Sequence, residues 1–316
     1  MHVIEGFLLQ ILIFAISLVV LALASHYTIR AVEKLIELTG LSEISVGFVI
    51  LAVLTSIPEL TVALFSVVHG EPGISIGDIL GSNVFNLGAV LGILGMLGYL
   101  KTCCTDLLLD LTDILFITSL IPLLLVIFNI ASPLVGSLLL ATFVINNYLI
   151  AKKRTPIVTT NGAEPPRRLG KIKVILLLVL GLASIIVAAR LVVSSGIEIA
   201  LFFGAPPILL GAKVVAVGTS LPELTTDIAA VRRGHVHLAI GGIIGSNLTN
   251  LTLVLGLVLL ASPFAVDIAI FTEILPFLLI TTVIFWRFLI RGGISKIGGL
   301  ILIISYIIFQ AIIQPV

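Results

Sequence analysis

The chain has 316 residues, of which 59% are hydrophobic and only 10% charged, and its formal net charge is +1. A mean hydropathy of +1.31 lies far outside the range of soluble globular domains, so the expected class is an all-α integral membrane protein. The near-neutral charge excludes nucleic-acid binding through a basic surface, and the adjacent Cys103 and Cys104 supply neither an ordinary disulfide nor a spaced zinc set.

A window of about 20 residues, the length that crosses a bilayer, predicts ten spans: 6–25, 42–68, 74–99, 111–130, 133–151, 172–192, 206–231, 236–261, 267–286 and 294–313. The first ends in LALAS, as a secretory signal might, but it lacks the basic leader and is long enough to span. After it, HYTIRAVEKLIELTGLSE has apolar residues at helical spacing opposite Arg30, Glu33, Lys34 and Glu37, which predicts a helix lying along the interface. The polar, proline-containing segment KKRTPIVTTNGAEPPRRLGKIK then joins two halves of five spans each.

One stretch occurs twice. Residues 51–92 and 215–256 each carry a TS-[IL]-PEL element followed by GSN-x-x-N, and the two copies are offset by 164 positions. In both, Glu precedes Ser by 23 residues, Glu59 to Ser82 and Glu223 to Ser246. An odd number of spans per half makes the second copy enter from the opposite side, so the repeats are expected to be inverted. With the N-terminus outside, all but Arg190 and Lys213 of the 17 lysines and arginines fall on the inner side. Both termini are therefore expected outside and the 152–171 linker in the cytoplasm. The domain reading is a first five-helix repeat over 1–151, the linker, and a second over 172–316, with the homologous cores at about 42–99 and 206–261.

Glu59 and Glu223 lie well inside apolar runs, where an ionised carboxylate costs several kcal/mol unless compensated. Cation binding explains them better than structure, since Lys213 is the one basic candidate partner. Pro58 and Pro222 remove a backbone donor just before each acid, which predicts broken helices with carbonyls around Ala52 and Ala216 turned to the site. Thr55, Ser56, Thr219 and Ser220 offer hydroxyls on the same face. Ser82 with Asn86, and Ser246 with Asn250, are i,i+4 pairs; small-residue faces of this kind also serve helix packing. Two carboxylates with hydroxyl, amide and carbonyl oxygens, and no Cys or His, form a hard-cation set suited to Ca2+ or Na+.

These two elements resemble those of the sodium/calcium exchanger family, within the cation/calcium exchanger superfamily. The resemblance extends to the ten-helix count, the N-out orientation and the central basic loop. It implies a secondary antiporter that exchanges Ca2+ for Na+ by alternating access at one mid-membrane cluster, in the plasma membrane of a prokaryote. On that resemblance Glu59 and Glu223 are the principal ligands, Thr55, Ser56, Ser82, Thr219, Ser220 and Ser246 supply hydroxyls or nearby carbonyls, Ala52 and Ala216 supply carbonyls, and Asn86 and Asn250 complete the cluster. The first and sixth helices, which lack such groups, look like the pair that slides.

Prokaryotic members often have Asp where this chain has Asn250, and Asn is common where it has Asp78. Asp78, one turn before Ser82, either restores the missing charge as a further ligand or proton acceptor, or hydrogen-bonds at the periphery. Asp227, one turn after Glu223, is a candidate of the same kind, and Lys213 either reaches the outer surface or acts as a fixed cation. No enzyme chemistry, cofactor or obligatory protein partner is implied; the lipid bilayer and the ions are the expected partners. An H+/Ca2+ exchanger and a cation channel are the alternative functions. The proton-coupled branch carries GN-x-x-E in place of TS-x-PE, and inverted repeats around a buried cluster favour alternating access over a pore.

Overall fold

The computed structural model describes residues 2–39, 42–68, 72–103, 105–128, 132–152, 168–202, 216–261 and 268–312. Lys213, the start of the predicted seventh span and most of the linker lie outside the described residues. All regular structure among the described residues is helical. In the first half, α1 is His2–Thr39, α2 Glu43–Val46, α3 Ala52–Thr55, α4 Ile57–Val68, α5 Pro72–Phe85, α6 Leu91–Met96, α7 Asp106–Ser119, α8 Ile121–Phe128 and α9 Pro133–Lys152. In the second, α10 is Arg168–Phe202, α11 Ala216–Thr219, α12 Leu221–Arg232, α13 Val236–Thr249, α14 Leu255–Ala261, α15 Ile268–Ile290 and α16 Lys296–Ile312. Three π-helical turns, Gly47–Leu51, Asn86–Val90 and Asn250–Val254, join α2 to α3, α5 to α6 and α13 to α14.

Six helical stretches among the described residues are long and apolar enough to cross a membrane: Gly6–Leu38, Glu43–Leu64, Ser75–Met96, Asp106–Leu125, Pro133–Ile150 and Val236–Ala261. Ile172–Ala188, Ile274–Ile290 and Lys296–Ile312 are shorter apolar helices. Burial sorts them into centre and periphery. Ser75–Met96 and Val236–Ala261 are 89% and 83% buried, whereas Gly6–Leu38 and Pro133–Ile150 are 12% and 17% buried. The two copies of the GSN-x-x-N element therefore occupy the middle of the bundle, and the outward apolar faces of α1 and α9 suit contact with lipid tails.

Glycines bring the central backbones together. A Cβ on Gly241 would lie 2.8 Å from the carbonyl oxygen of Ile44, and one on Gly245 would lie 2.8 Å from the Cα of Phe48. Only glycine lets α13 approach the α2–α3 stack this closely. The contacts advance together along both chains, so α13 runs parallel to that stack. Across the bundle, α7 and α15 are tied by a hydrogen bond from Trp286 Nε1 to Asp113 Oδ1 at 2.7 Å, and the Trp286 ring stacks on Phe116.

The segment after the first predicted span does not lie along the interface as a separate helix: it continues α1, a single helix of 38 residues. At about 1.5 Å per residue that is roughly 57 Å, far more than the ~30 Å hydrocarbon core, so α1 extends beyond it. No Gly or Pro interrupts α1 between Phe7 and Thr39, and Glu33 finds partners that stabilise the extension. Arg233 grips Glu33 with two nitrogens, Nη2 standing 2.6 Å from Oε2. The ring of His235 bridges Glu33 at 3.1 Å and Glu43 at 2.7 Å. This cluster places the start of α2 beside the end of α12. Higher along α1, the Ser25 hydroxyl donates to Thr225 Oγ1 at 2.8 Å. Both contacts pair residues 200 positions apart, so α1 and α12 run parallel.

Candidate cation site

The prolines break the helices where the sequence leads one to expect, and the serines before them occupy the breaks. Ser56 has φ −81° and ψ 9°, and Ser220 has φ −88° and ψ 6°, both outside helical geometry. Each break turns a serine hydroxyl inward and starts a new helix with the glutamate in its first turn. The carbonyls behave differently in the two halves. The Ala216 carbonyl accepts from the Ser82 hydroxyl at 3.4 Å and from Thr219 Oγ1 at 3.2 Å, so it is drawn into the site. The Ala52 carbonyl is not freed by Pro58: it keeps the Ser56 amide at 3.1 Å and the Thr55 hydroxyl at 3.3 Å. The reason is register, because the i−4 partner of a missing proline N–H is Leu54, not Ala52.

Hydroxyls of each half reach the acids of the other. Ser220 donates to Glu59 Oε1 at 3.3 Å. Thr219 donates to Asp78 Oδ1 at 3.0 Å, and its oxygen lies 3.3 Å from that of Ser82. Ser246 donates to Glu223 Oε1 at 2.9 Å and meets the Ser56 hydroxyl, also at 2.9 Å. All of the sequence-predicted side chains (Thr55, Ser56, Glu59, Asp78, Ser82, Asn86, Thr219, Ser220, Glu223, Ser246 and Asn250) are buried.

Asn83 and Asn247 were not among the residues expected at the site, and they organise its floor. Asn86 Nδ2 donates to Asn247 Oδ1 at 3.1 Å, and Asn250 Nδ2 donates to Asn83 Oδ1 at 3.2 Å. These bonds are the same contact made twice, once by each copy across the interface between halves. They use the N–H ends of Asn86 and Asn250, which leaves both amide oxygens as the free ends. Asn86 and Asn250 also open the π-helical turns. A π turn carries one extra residue and commonly marks a functional position in a helix. The signal for Asn83 and Asn247 was present in their repetition within GSN-x-x-N, but nothing in the spacing says which amide binds and which one holds.

In and beside this cluster, the buried oxygens left without a hydrogen-bond partner are Glu59 Oε2, Glu223 Oε2, Asp78 Oδ2, Asp227 Oδ2, Asn86 Oδ1 and Asn250 Oδ1. An unpaired buried acceptor costs about 1–3 kcal/mol, and more when charged, so six of them in one region is a standing destabilisation unless a cation or water meets them. Among the described residues, the ion pairs gather at Glu33, Glu43, Arg233 and His235, away from this cluster. Oxygen-only donors with excess negative charge bind hard cations. No three His, Cys, Asp or Glu side chains converge tightly among the described residues, so the donor set depends on its hydroxyls and amides as well as its acids.

The chain matches the sodium/calcium exchanger protein family over residues 9–152 and 173–313. It is 29% identical over 344 aligned positions to the sodium/calcium exchanger MaX1 of Methanosarcina acetivorans, covering 96% of this chain and 97% of that protein. It is 27% identical to the putative antiporter CaxA of Alkalimonas amylolytica, with 93% and 95% covered, and 29% identical to the inner membrane protein YrbG of Escherichia coli, with 89% and 90% covered. Its fold is similar to that of the sodium-calcium exchanger NCX_Mj soaked with 10 mM Na+ and zero Ca2+, at a TM-score of 0.84 and 24% identity over 98% of this chain and 100% of the other. With both halves matched and the repeated motifs buried together at the centre of the bundle, the chain belongs to the sodium/calcium exchanger family.

Proposed function

We propose that the chain is a secondary antiporter that exchanges Ca2+ for Na+ across the membrane by alternating access. The observation that carries this is the set of buried, unpartnered carboxylate and amide oxygens contributed by both halves. Glu59 and Glu223 neutralise one dehydrated divalent ion; Ser56, Ser82, Thr55, Thr219, Ser220, Ser246, Asn86, Asn250 and the carbonyl of Ala216 supply the neutral oxygens. Asp78 adds a further carboxylate beside Thr219. Na+ uses the same hard oxygens at lower charge, so the two ions compete and the protein carries one kind in each direction.

The architecture we infer is ten spans in two inverted five-helix repeats, 1–151 and 172–316, joined by a cytoplasmic linker at 152–171. The geometry supports inversion: α2 starts at the Glu33–Arg233–His235 cluster, whereas α12, in the corresponding segment of the other copy, ends there. Arg232 and Arg233 mark that end as cytoplasmic by the positive-inside rule, which puts both termini outside. Inverted halves allow one site to face either side as one body moves against another, and α1 with α10, which carry none of the site oxygens, form the body that slides.

The test is Ca2+ uptake into proteoliposomes under an imposed Na+ gradient, repeated under a pH gradient alone. Uptake driven by outward Na+ is the expected result. Uptake driven only by the pH gradient would make the protein a proton-coupled exchanger, and flux indifferent to any counter-ion would make it a channel.

A further inference from the structure

Asp78 and Asp227 flank the central cluster without a matching acid in the other copy: Gly242 stands at the position corresponding to Asp78, and Ala63 at the one corresponding to Asp227. A Cβ built on Gly242 would lie 3.4 Å from Asp227 Oδ1, so the space that an acid would need there is taken by Asp227, reaching in from α12. Around these positions the hydroxyls of the two copies point differently. With Asp78 one turn before it, Ser82 lies 3.3 Å from Thr219 Oγ1 and 3.4 Å from the Ala216 carbonyl. With Gly242 one turn before it, Ser246 instead donates to Glu223 Oε1 at 2.9 Å. The threonines differ in the same way. Thr219 donates to Asp78 Oδ1 at 3.0 Å, whereas its counterpart Thr55 turns back to main-chain carbonyls, Leu51 at 3.1 Å and Ala52 at 3.3 Å.

A hydroxyl has one proton to give, and a cation needs the lone pairs of its ligands. Among the described residues Thr219 has two acceptors, Asp78 Oδ1 at 3.0 Å and the Ala216 carbonyl at 3.2 Å. The carboxylate oxygen is the nearer and the stronger acceptor. Once Thr219 gives its proton to Asp78, its oxygen can accept from Ser82, and the hydroxyls form a chain from Ser82 through Thr219 to Asp78 Oδ1. Each hydroxyl stands closer to the next member of that chain than to the Ala216 carbonyl, whose lone pairs can therefore turn to an ion. In the other copy the Ala52 carbonyl keeps both the Thr55 hydroxyl and the Ser56 amide. We propose that Asp78 is a positioning residue: through Thr219 it draws the hydroxyl protons of Thr219 and Ser82 away from the ion, and it is the reason that Ala216, and not Ala52, supplies a carbonyl ligand. The inference rests on the exchange reading above. Oδ1 is the atom that positions, and Oδ2, which has no hydrogen-bond partner, keeps its charge free for the cluster.

The experiment compares Asp78→Asn, which keeps an acceptor for Thr219, with Asp78→Ala, which removes it. Both are made in the purified full-length protein, with and without Thr219→Val, and Ca2+ and Na+ are titrated separately by calorimetry. Asp78→Ala is expected to bind each ion about ten-fold more weakly than Asp78→Asn, as the loss of one well-aimed ligand oxygen implies. In the Thr219→Val background the two variants are expected to bind alike, because the hydroxyl through which Asp78 acts is gone. Asp78→Val, which fills the space without offering an acceptor, repeats the comparison where alanine does not fold. Equal binding by the asparagine and alanine variants with Thr219 in place overturns the proposal. So does a gap that persists in the Thr219→Val background, since Asp78 would then act by packing or by touching the ion itself. Absence of Na+-driven Ca2+ uptake by the wild type would instead sink the exchange reading, while the ion titrations would still report on Asp78.

Discussion

Asn83 donates to the main-chain carbonyl of Asn247 at 3.2 Å, and the two residues are each other's counterparts, 164 positions apart. The contact lies where the halves meet, and on either side of it Asn86 and Asn250 are turned so that their oxygens remain free. The pair acts as a clamp: it holds the ligand amides in one flip state and ties the two copies together.

Removing the clamp therefore acts on binding through orientation. In Asn83→Ala, the Nδ2 of Asn250 loses its acceptor, and the amide is free to turn an N–H toward the ion. Ca2+ affinity is expected to fall about ten-fold, with a stability loss of about 1–3 kcal/mol from the unpaired buried donor. Isothermal titration with Ca2+ measures the first and chemical denaturation the second. Unaltered affinity beside a measurable stability loss would reduce Asn83 to a packing residue.

Glu59→Gln and Glu223→Gln separate charge from shape. Glutamine keeps the size and an oxygen for the Ser220 and Ser246 hydroxyls, which donate to these side chains, and it removes an uncompensated buried charge. Transport is expected to be abolished, while the ion-free protein melts at the same temperature or higher, as relief of buried charge predicts. Near-normal flux in either variant would refute the site.

Much of this site is readable in the chain because it is periodic. The 23-residue spacing from Glu to Ser brings the Ser246 hydroxyl onto Glu223 from the next helix, and the prolines announce the breaks at Ser56 and Ser220, the latter supplying the hydroxyl that Glu59 accepts. What was not readable depends on contacts between helices. The clamp by Asn83 and Asn247, the entry of Asp227 beside Gly242 and the Arg233–Glu33 pair all join residues more than 140 positions apart or on different helices, and no local pattern encodes them. The continuation of α1 past its membrane-length run is hidden from the sequence for the same reason, since Arg233, which holds Glu33, lies 200 residues downstream. The Ala52 carbonyl is a different case: its retained hydrogen bond follows from helix register alone.

Asp78→Asn tests whether the first flanking acid binds ions or only accepts a hydrogen bond. Asparagine still accepts from Thr219, which donates to Asp78 Oδ1 at 3.0 Å, so packing is preserved and only charge is lost. The expected result is a weaker dependence of Ca2+ uptake on Na+, measured as a several-fold rise in the Na+ concentration giving half-maximal rate, in keeping with the loss of one charged ligand. An identical Na+ dependence would assign Asp78 to structure.

The contacts that fasten α1 to α12 stand two helical turns apart, about 12 Å. At the positions corresponding to Ser25 and Glu33, α10 carries Ala189 and Ile197, which can form neither the hydroxyl pair nor the ion pair. If α1 slides by as little as one turn, about 5.4 Å, the Arg233 fork on Glu33 and the Ser25–Thr225 bond must both break. They oppose the slide at the end of the bundle where Arg233 and Glu33 meet. Glu33→Gln combined with Ser25→Ala is expected to raise turnover while leaving Na+ and Ca2+ binding intact, because neither residue touches the cluster. The stability cost should stay near 1 kcal/mol, since the ion pair is partly exposed, at 27% and 20%, and screened by solvent. Initial rates of Na+-driven Ca2+ uptake at saturating ions measure the effect. A slower variant with unchanged affinity would mean that α1 and α12 move together, and the sliding surface would then lie on the far side of α12.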